Sequence, residues 1–367
     1  MKFGILFTPH PDVAVEAYPH RDVHERVTRA VIEADHLGYD IAWIAEHHFS
    51  NKYGILPDPF VYVAYLAAKT ERIALGSAVM TLPLHNPVRI AENAAFVDIL
   101  SGGRFMLGLG SGYRPYEFEG LGIPFDERRD IQEEALPLML DAFHRRQLDY
   151  EGKYFRHRIT GDYEIFPVSV QHPPPPLYMA AGTERSIGTA ARHGMGLMLS
   201  TLPGFDKLAE QIIFYRETMK EAPAPWNANP AFGQVDVARW VYVAETDAKA
   251  KEESAEGIVR HIKSFMGKGT AGYLGSVSEK RAPDELDYDE LAETTLLHGS
   301  PETVIRRLKE LGHADTRMTE RHYAHLSPSF VADTVRAAFG KLGIVSSDNV
   351  APLRRGHAGP AMPGHGG

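Results

Sequence analysis

The chain has 367 residues, a formal net charge of -9, 44% hydrophobic and 24% charged residues, and no cysteine. This composition supplies a large core and argues against disorder over most of the length, while zero cysteines exclude disulfides, thiolate metal sites and thiol nucleophiles, leaving His, Asp, Glu, Ser and Tyr for any chemistry. The acidic balance without a Lys/Arg run argues against nucleic acid or an anionic membrane as a partner, and no stretch approaches the ~18 to 20 apolar residues of a membrane span. Residues 1–8 run into a strand-like segment rather than a leader, so the cytoplasm is the expected location.

A short apolar run at 3–7 precedes apolar residues at Val23, Val27, Ala30, Val31, Ala34 and Leu37, the spacing of one helical face, closed by Gly38. The unit recurs, with strands at 41–45, 73–79 and 105–109 leading to helices at 59–69, 87–100 and 126–143. The third helix carries its own boundaries: Asn86 as cap, Pro87 at the first position, Ser101-Gly102-Gly103 at the end. Between 150 and 170 aromatic and β-branched residues alternate with polar ones, which predicts a hairpin-like excursion ending in the proline run 173–176.

Strands then follow at 177–181, 195–199 and 235–244, each before a helix, at 183–193, 206–219 and 247–265. Seven parallel strands of an α/β barrel result. Residues 267–296, rich in Gly, Ser and charge without a sustained period, read as a long loop or lid, and Ser300-Pro301 starts a helix to 311. An eighth strand is due next, yet His313-Ala314-Asp315-Thr316-Arg317-Met318 holds no apolar run. The expected fold is therefore a TIM (β/α)8-type barrel with an atypical or missing eighth strand. The domain reading is a barrel over 1–312, a tail over 313–345 able to form a substitute helix, and an end over 346–367 whose Gly, Pro and Ala content predicts disorder.

In such barrels the site lies at the carboxyl ends of the strands. There the chain puts Glu46-His47-His48-Phe49, Thr81-Leu82-Pro83, Gly110-Ser111-Gly112-Tyr113 and Gly182-Thr183-Glu184-Arg185-Ser186. Adjacent histidines without a third ligand at a helical or hairpin offset are a poor cage, so no metal is expected. Gly108-Leu109-Gly110-Ser111-Gly112 differs from a dinucleotide fingerprint because its third glycine comes one place early. An imidazole at His47, with an unperturbed pKa of ~6.5, suits proton exchange near neutral pH; the competing reading is a structural histidine bonded at a strand end. His48, its neighbour on an extended segment, points to the other side. Phe7, Tyr113, Trp240 and Tyr242 are candidates to line an apolar substrate pocket, with plain core packing the alternative for each.

The segments Lys2-Phe3-Gly4, Trp43-Ile44-Ala45-Glu46-His47-His48-Phe49, Gly76-Ser77-Ala78-Val79-Met80-Thr81-Leu82-Pro83, His85-Asn86-Pro87-Val88-Arg89, Gly102-Gly103-Arg104-Phe105 and Gly108-Leu109-Gly110-Ser111-Gly112 are similar to the bacterial luciferase-like, flavin-dependent monooxygenases. The similarity continues at 175–201 and Gly299-Ser300-Pro301-Glu302, covering residues 1–311. It implies reduced FMN as cosubstrate and dioxygen as oxidant. A hydroperoxide on the flavin then delivers one oxygen atom to a small, mostly apolar substrate such as an aldehyde or ketone. The protein's part is to bind the isoalloxazine, exclude water and position an acid or base.

The resemblance further implies His47 beside the flavin's reacting edge and the Ala78-Val79 peptide under the ring. It implies Ser111, Gly182, Thr183 and Ser186 around the phosphate, where hydroxyls and a helix start offer donors. Two positions depart from luciferase itself, which has an arginine where Ser111 stands and a cysteine where Gly110 stands. Lacking an NAD site, the chain is expected to work as a two-component system with a separate NAD(P)H:flavin reductase. A homo-oligomer is expected. A deazaflavin-dependent oxidoreductase of the same fold is the alternative, as is a flavin-binding protein impaired by its altered C-terminus. Residues 311–344 resemble instead the end of tyrosine recombinases of the phage-integrase type, with His313 on the motif histidine and Tyr323 on the nucleophilic tyrosine. The upstream arginines and basic DNA-binding regions of that family have no counterpart, and a nucleophile without its partners is no enzyme.

Overall fold

The computed structural model describes residues 2–51, 53–172, 174–265 and 286–313. Strand β1 (Gly4–Phe7) leads through α1 (Pro19–Leu37) to β2 (Ile41–Ile44), and α2 (Pro59–Ala67) leads to β3 (Ala74–Thr81). Helix α3 (Pro87–Leu100) then leads to β4 (Phe105–Gly110), short α4 (Pro115–Gly120) and α5 (Arg128–Arg145). Asn86 caps α3 as its position predicts, accepting from the Val88 and Arg89 amides at 3.0 and 3.3 Å. The excursion that follows is an antiparallel hairpin, β5 (Leu148–Glu151) with β6 (Arg156–Ile159). Its return is pinned to α3 by Asp98, whose carboxylate accepts from the Val170 and Gln171 amides.

The alternation resumes with β7 (Leu177–Ala180), α6 (Glu184–Arg192), β8 (Gly196–Leu199), α7 (Phe205–Thr218) and β9 (Val235–Val237). These seven strands form one parallel sheet in the order β1-β2-β3-β4-β7-β8-β9, the barrel-type arrangement expected from the strand–helix repeat. Among the described residues β1 pairs only with β2 and β9 only with β8, so the sheet is an incomplete barrel.

Two expectations need correction. The single strand expected over 235–244 is broken: after β9 comes a separate β10 (Val241–Val243), and the intervening Arg239 turns its guanidinium onto the Ser200 and Pro203 carbonyls. The loop expected over 267–296 has ordered structure in its described part. After α8 (Asp247–Phe265), helix α9 (Tyr288–Thr294) is capped by Asp287 and buries Tyr288 and Leu291. Strand β11 (Leu297–Gly299) then pairs in parallel with β10 before α10 (Pro301–His313). Periodicity missed both because a helix of seven residues and a strand of three are too short to show a pattern. The strand expected after Gly312 and the recombinase-like segment fall from residue 314 onward outside the described residues.

The two faces of the sheet carry different cores. Ala42, Ile44, Leu75, Leu107, Leu109, Met179 and Leu197 pack against the helices, while Ile41, Trp43, Tyr178 and Met198 cluster on the inner face. Glycines opposite the large inner residues make this possible. A Cβ on Gly76 would stand 2.3 Å from the Trp43 ring, and one on Gly196 2.6 Å from Tyr178. Gly76→Ala is expected to cost about 1–3 kcal/mol by overpacking, read as a lower melting temperature; an unchanged melt would show that Trp43 can yield. Among the described residues no helix is long and apolar enough to cross a membrane.

Candidate functional site

The carboxyl ends of β2, β3 and β4 bring together a buried set of ionisable groups. Past β2 the chain keeps one more ladder bond, Ala45 N to Phe7 O, and then turns. Its His47 amide donates to Leu56 O, and Phe49 adopts a left-handed φ of 61°. That conformation is uncommon for an aromatic residue and is held by packing, because Phe49 lies over Gly120, where a Cβ would come within 2.5 Å of the ring.

Glu46, 3% exposed, accepts three hydrogen bonds: from the Thr81 amide at 2.5 Å, His85 Nε2 at 2.6 Å and His48 Nε2 at 3.1 Å. Burial alone pushes this carboxyl up, yet the donors outweigh it and hold the pKa at about 2. The same bond raises His48 above the ordinary histidine value against its partial burial. Among the described residues no three His, Asp or Glu groups are arranged to hold a metal ion.

His47 faces the other way. Its Nδ1 lies 3.1 Å from Glu117 Oε1 on α4, and that oxygen also accepts the His48 amide at 3.0 Å. An oxygen accepting from both places the ring proton on Nδ1 and the lone pair on Nε2, which makes no hydrogen bond among the described residues. Burial lowers the His47 pKa; Glu117 opposes this, and Arg114 adds to it. Gly54 lets the ring come close to the backbone, since a Cβ there would be 3.2 Å from His47. Tyr53 packs edge-on at 4.4 Å and Tyr113 at 6.4 Å, and their hydroxyls meet at 3.1 Å. Arg114 lies 3.7 Å above the Tyr53 ring. Beside this set, Phe49, Ser50, Tyr116, Glu119 and Gly120 line a cleft of about 400 Å³.

The Ala78–Val79 peptide is cis. It sits in a bulge, for the ladder passes from Ser77↔Leu107 to Met80↔Leu109, and both side chains join the inner-face cluster. Ser77 replaces the lost ladder bonds, its hydroxyl donating to Gly108 O and accepting from Gly108 N. Gly110 leaves room for Val79, since a Cβ there would be 2.6 Å from that side chain.

Ser111 and the Gly182 turn follow adjacent strands, which pair as far as Leu109↔Met179. Thr183 and Ser186 are joined in a capping box at the start of α6, with their hydroxyls 3.0 Å apart, and Gly182 is exposed with open space on its Cβ side. Arg185 is held aside by Asp130 and Glu133 of α5.

The four pocket candidates are placed differently, although Trp240 shares an apolar cluster with Tyr53, which packs on His47. Tyr113 stands beside His47, whereas Phe7 packs into the core between sheet and helices. Trp240 packs edge-on against His261 of α8, and Tyr242 bonds Glu253 of the same helix. Glu117, Tyr53 and His85 are the members that sequence reasoning passed over. For Glu117 the available signal was an acidic residue in the first turn of a Pro-started helix directly after a strand end.

Fold and rim together define a parallel α/β barrel-type protein whose buried polar groups gather at the carboxyl ends of the early strands. The chain belongs to the Luciferase-like monooxygenase family, whose profile matches residues 1–317. It is 26% identical over 223 residues to an alkanal monooxygenase alpha chain of Photorhabdus luminescens, covering 60% of this chain and 59% of that protein. Among solved structures it resembles the oxygenating constituent of 3,6-diketocamphane monooxygenase of Pseudomonas putida, a complex with FMN (22% identity, TM-score 0.69, 86% and 88% of the two chains). It also resembles the coenzyme F420 dependent tetrahydromethanopterin reductase of Methanopyrus kandleri (21% identity, TM-score 0.63, 86% and 90%). The chain spans 62% and 59% of the length of the first curated relatives it matches.

Proposed function

We propose that the chain is the oxygenating component of a two-component, reduced-FMN-dependent monooxygenase. It transfers one oxygen atom from dioxygen to a small, mostly apolar substrate of the aldehyde or ketone class. A separate NAD(P)H:flavin reductase supplies the reduced flavin. The observation that carries this reading is His47, anchored through Nδ1 by Glu117, with Nε2 making no hydrogen bond among the described residues. Reduced flavin, when bound, supplies the electrons that activate dioxygen.

The residues present fit such a group. Ala78, Val79 and Gly110 form a floor of small or recessed side chains, open space lies at Gly182, and Ser111, Thr183 and Ser186 offer hydroxyls for a phosphate. In this reading His47 gives or takes a proton at Nε2, Glu117 keeps its tautomer, and Tyr113 with Tyr53 limits water around the ring. The likeness to an FMN complex and to an alkanal monooxygenase supports FMN and an aldehyde-like substrate.

A second reading, oxygen-independent hydride transfer with a deazaflavin, is favoured by the likeness to the F420-dependent reductase. Anaerobic titration with each reduced cofactor, followed by a pulse of isotopically labelled dioxygen with a medium-chain aldehyde or a cyclic ketone, separates the two. We expect reduced FMN to saturate the protein and one labelled oxygen to enter the product. Saturation by the deazaflavin alone would replace this reading with the second.

A further inference from the structure

A second cluster of charge gathers where the end of β9, the start of α7 and α10 meet. Arg239 follows β9, and its guanidinium donates to the Ser200 and Ala238 carbonyls from Nη1 and to Pro203 O from Nη2. Arg307 on α10 is 6% exposed and donates from Nη1 to Glu293 O. Both guanidinium groups approach the ring of Phe205 at the start of α7, at 5.8 and 4.8 Å from its centre.

Among the described residues neither arginine has a direct ion-pair partner. Glu310 and Glu293 both favour the charged form of Arg307 against its burial, but Glu310 pairs directly with Arg306 at 2.6 Å, and Glu293 reaches Arg307 through its backbone carbonyl. Nε of Arg239 and both Nε and Nη2 of Arg307 are buried without a hydrogen-bond partner. Burial, reinforced by the nearby Arg307, lowers Arg239 to about 10. Two neighbouring cations with unfilled buried donors and no direct ion pair are an unusual arrangement, since buried donors and charges are normally partnered. The free Nε and Nη2 of Arg307 form one edge of the guanidinium fork, the edge that matches two oxygens of a carboxylate or phosphate. The loops after the late strands of α/β barrels are also recurrent phosphate sites.

We infer that Arg239 and Arg307, flanking Phe205, form a binding site for a small oxyanion of the phosphate or carboxylate class, separate from the His47 rim. The inference stands whether or not the flavin reading holds, because it uses none of the same residues. Inorganic phosphate is the probe, titrated against the full chain at constant ionic strength while its phosphorus resonance is followed. Saturable broadening is expected, with affinity at least tenfold weaker in Arg307→Met and in Arg239→Met and unchanged in Arg306→Gln, a neighbouring exposed arginine. If the Arg307→Met protein does not fold, Arg307→Lys keeps the charge, removes the fork and is expected to show the same weakening. No saturable broadening at millimolar phosphate in the natural protein, or equal affinity in the Arg307 and Arg239 variants, overturns the site.

Discussion

Replacing His47 by alanine is expected to lower kcat by about 10²- to 10⁴-fold, the range that one positioned acid or base contributes, while anaerobic affinity for reduced FMN changes little. The expectation rests on Nε2 being the ring nitrogen left for chemistry once Glu117 holds Nδ1. Glu117→Gln tests the coupling. Burial already puts His47 below the ordinary histidine value, and Glu117 is the group that pulls it back up. Without the carboxylate the imidazole becomes harder still to protonate. Since the neutral imidazole is the base, the acid limb of the pH–rate profile should move to lower pH. Full turnover in His47→Ala, or an acid limb displaced upward in Glu117→Gln, would take the pair out of the mechanism.

The largest stability effect is expected at Glu46. Removing its carboxylate in Glu46→Ala leaves the Thr81 amide, His48 and His85 without their acceptor in a buried setting, at a cost of about 3–5 kcal/mol. The melting temperature should fall by roughly 5–15 °C. Acid unfolding gives an independent check. The folded-state pKa of about 2 lies below the ordinary 4.5, so the contribution is complete above 4.5 and is lost as the pH falls toward 2. Its size is on the order of 3 kcal/mol. His48 runs the opposite way: its pKa is raised, so its share is present at low pH and fades as the pH climbs through that raised value. Urea midpoints measured between neutral pH and pH 3 should therefore decline less in Glu46→Gln than in the natural protein. Parallel declines would mean that the carboxylate is not what acid attacks.

Much of the architecture was readable from residue order. The helix under Val23, Val27, Val31 and Ala34, the cap at Asn86 and the hairpin after 148 all depend on residues within a few positions of one another, and local patterns report local structure. His47 was likewise accessible, since it follows an apolar run directly. Its partner was not: Glu117 is 70 residues away, and nothing in either segment specifies that β2 and the turn after β4 will meet.

The residue order by itself determined most of the strands and helices, because periods of 2.0 and 3.6 are written into neighbouring side chains; the short α9, β10 and β11 escaped it. Only the tertiary structure decided which face of each strand looks inward. On β1 the register Leu6↔Trp43 puts Leu6 level with an inner-face residue and sends Phe7, beside Ile44, into the helix-facing core. The break between β9 and β10 sends Trp240 and Tyr242 toward α8, and the same break leads Arg239 to Arg307. Facing, bulges and distant ion pairs come from how separate segments dock, and that docking is a property of the whole packed chain.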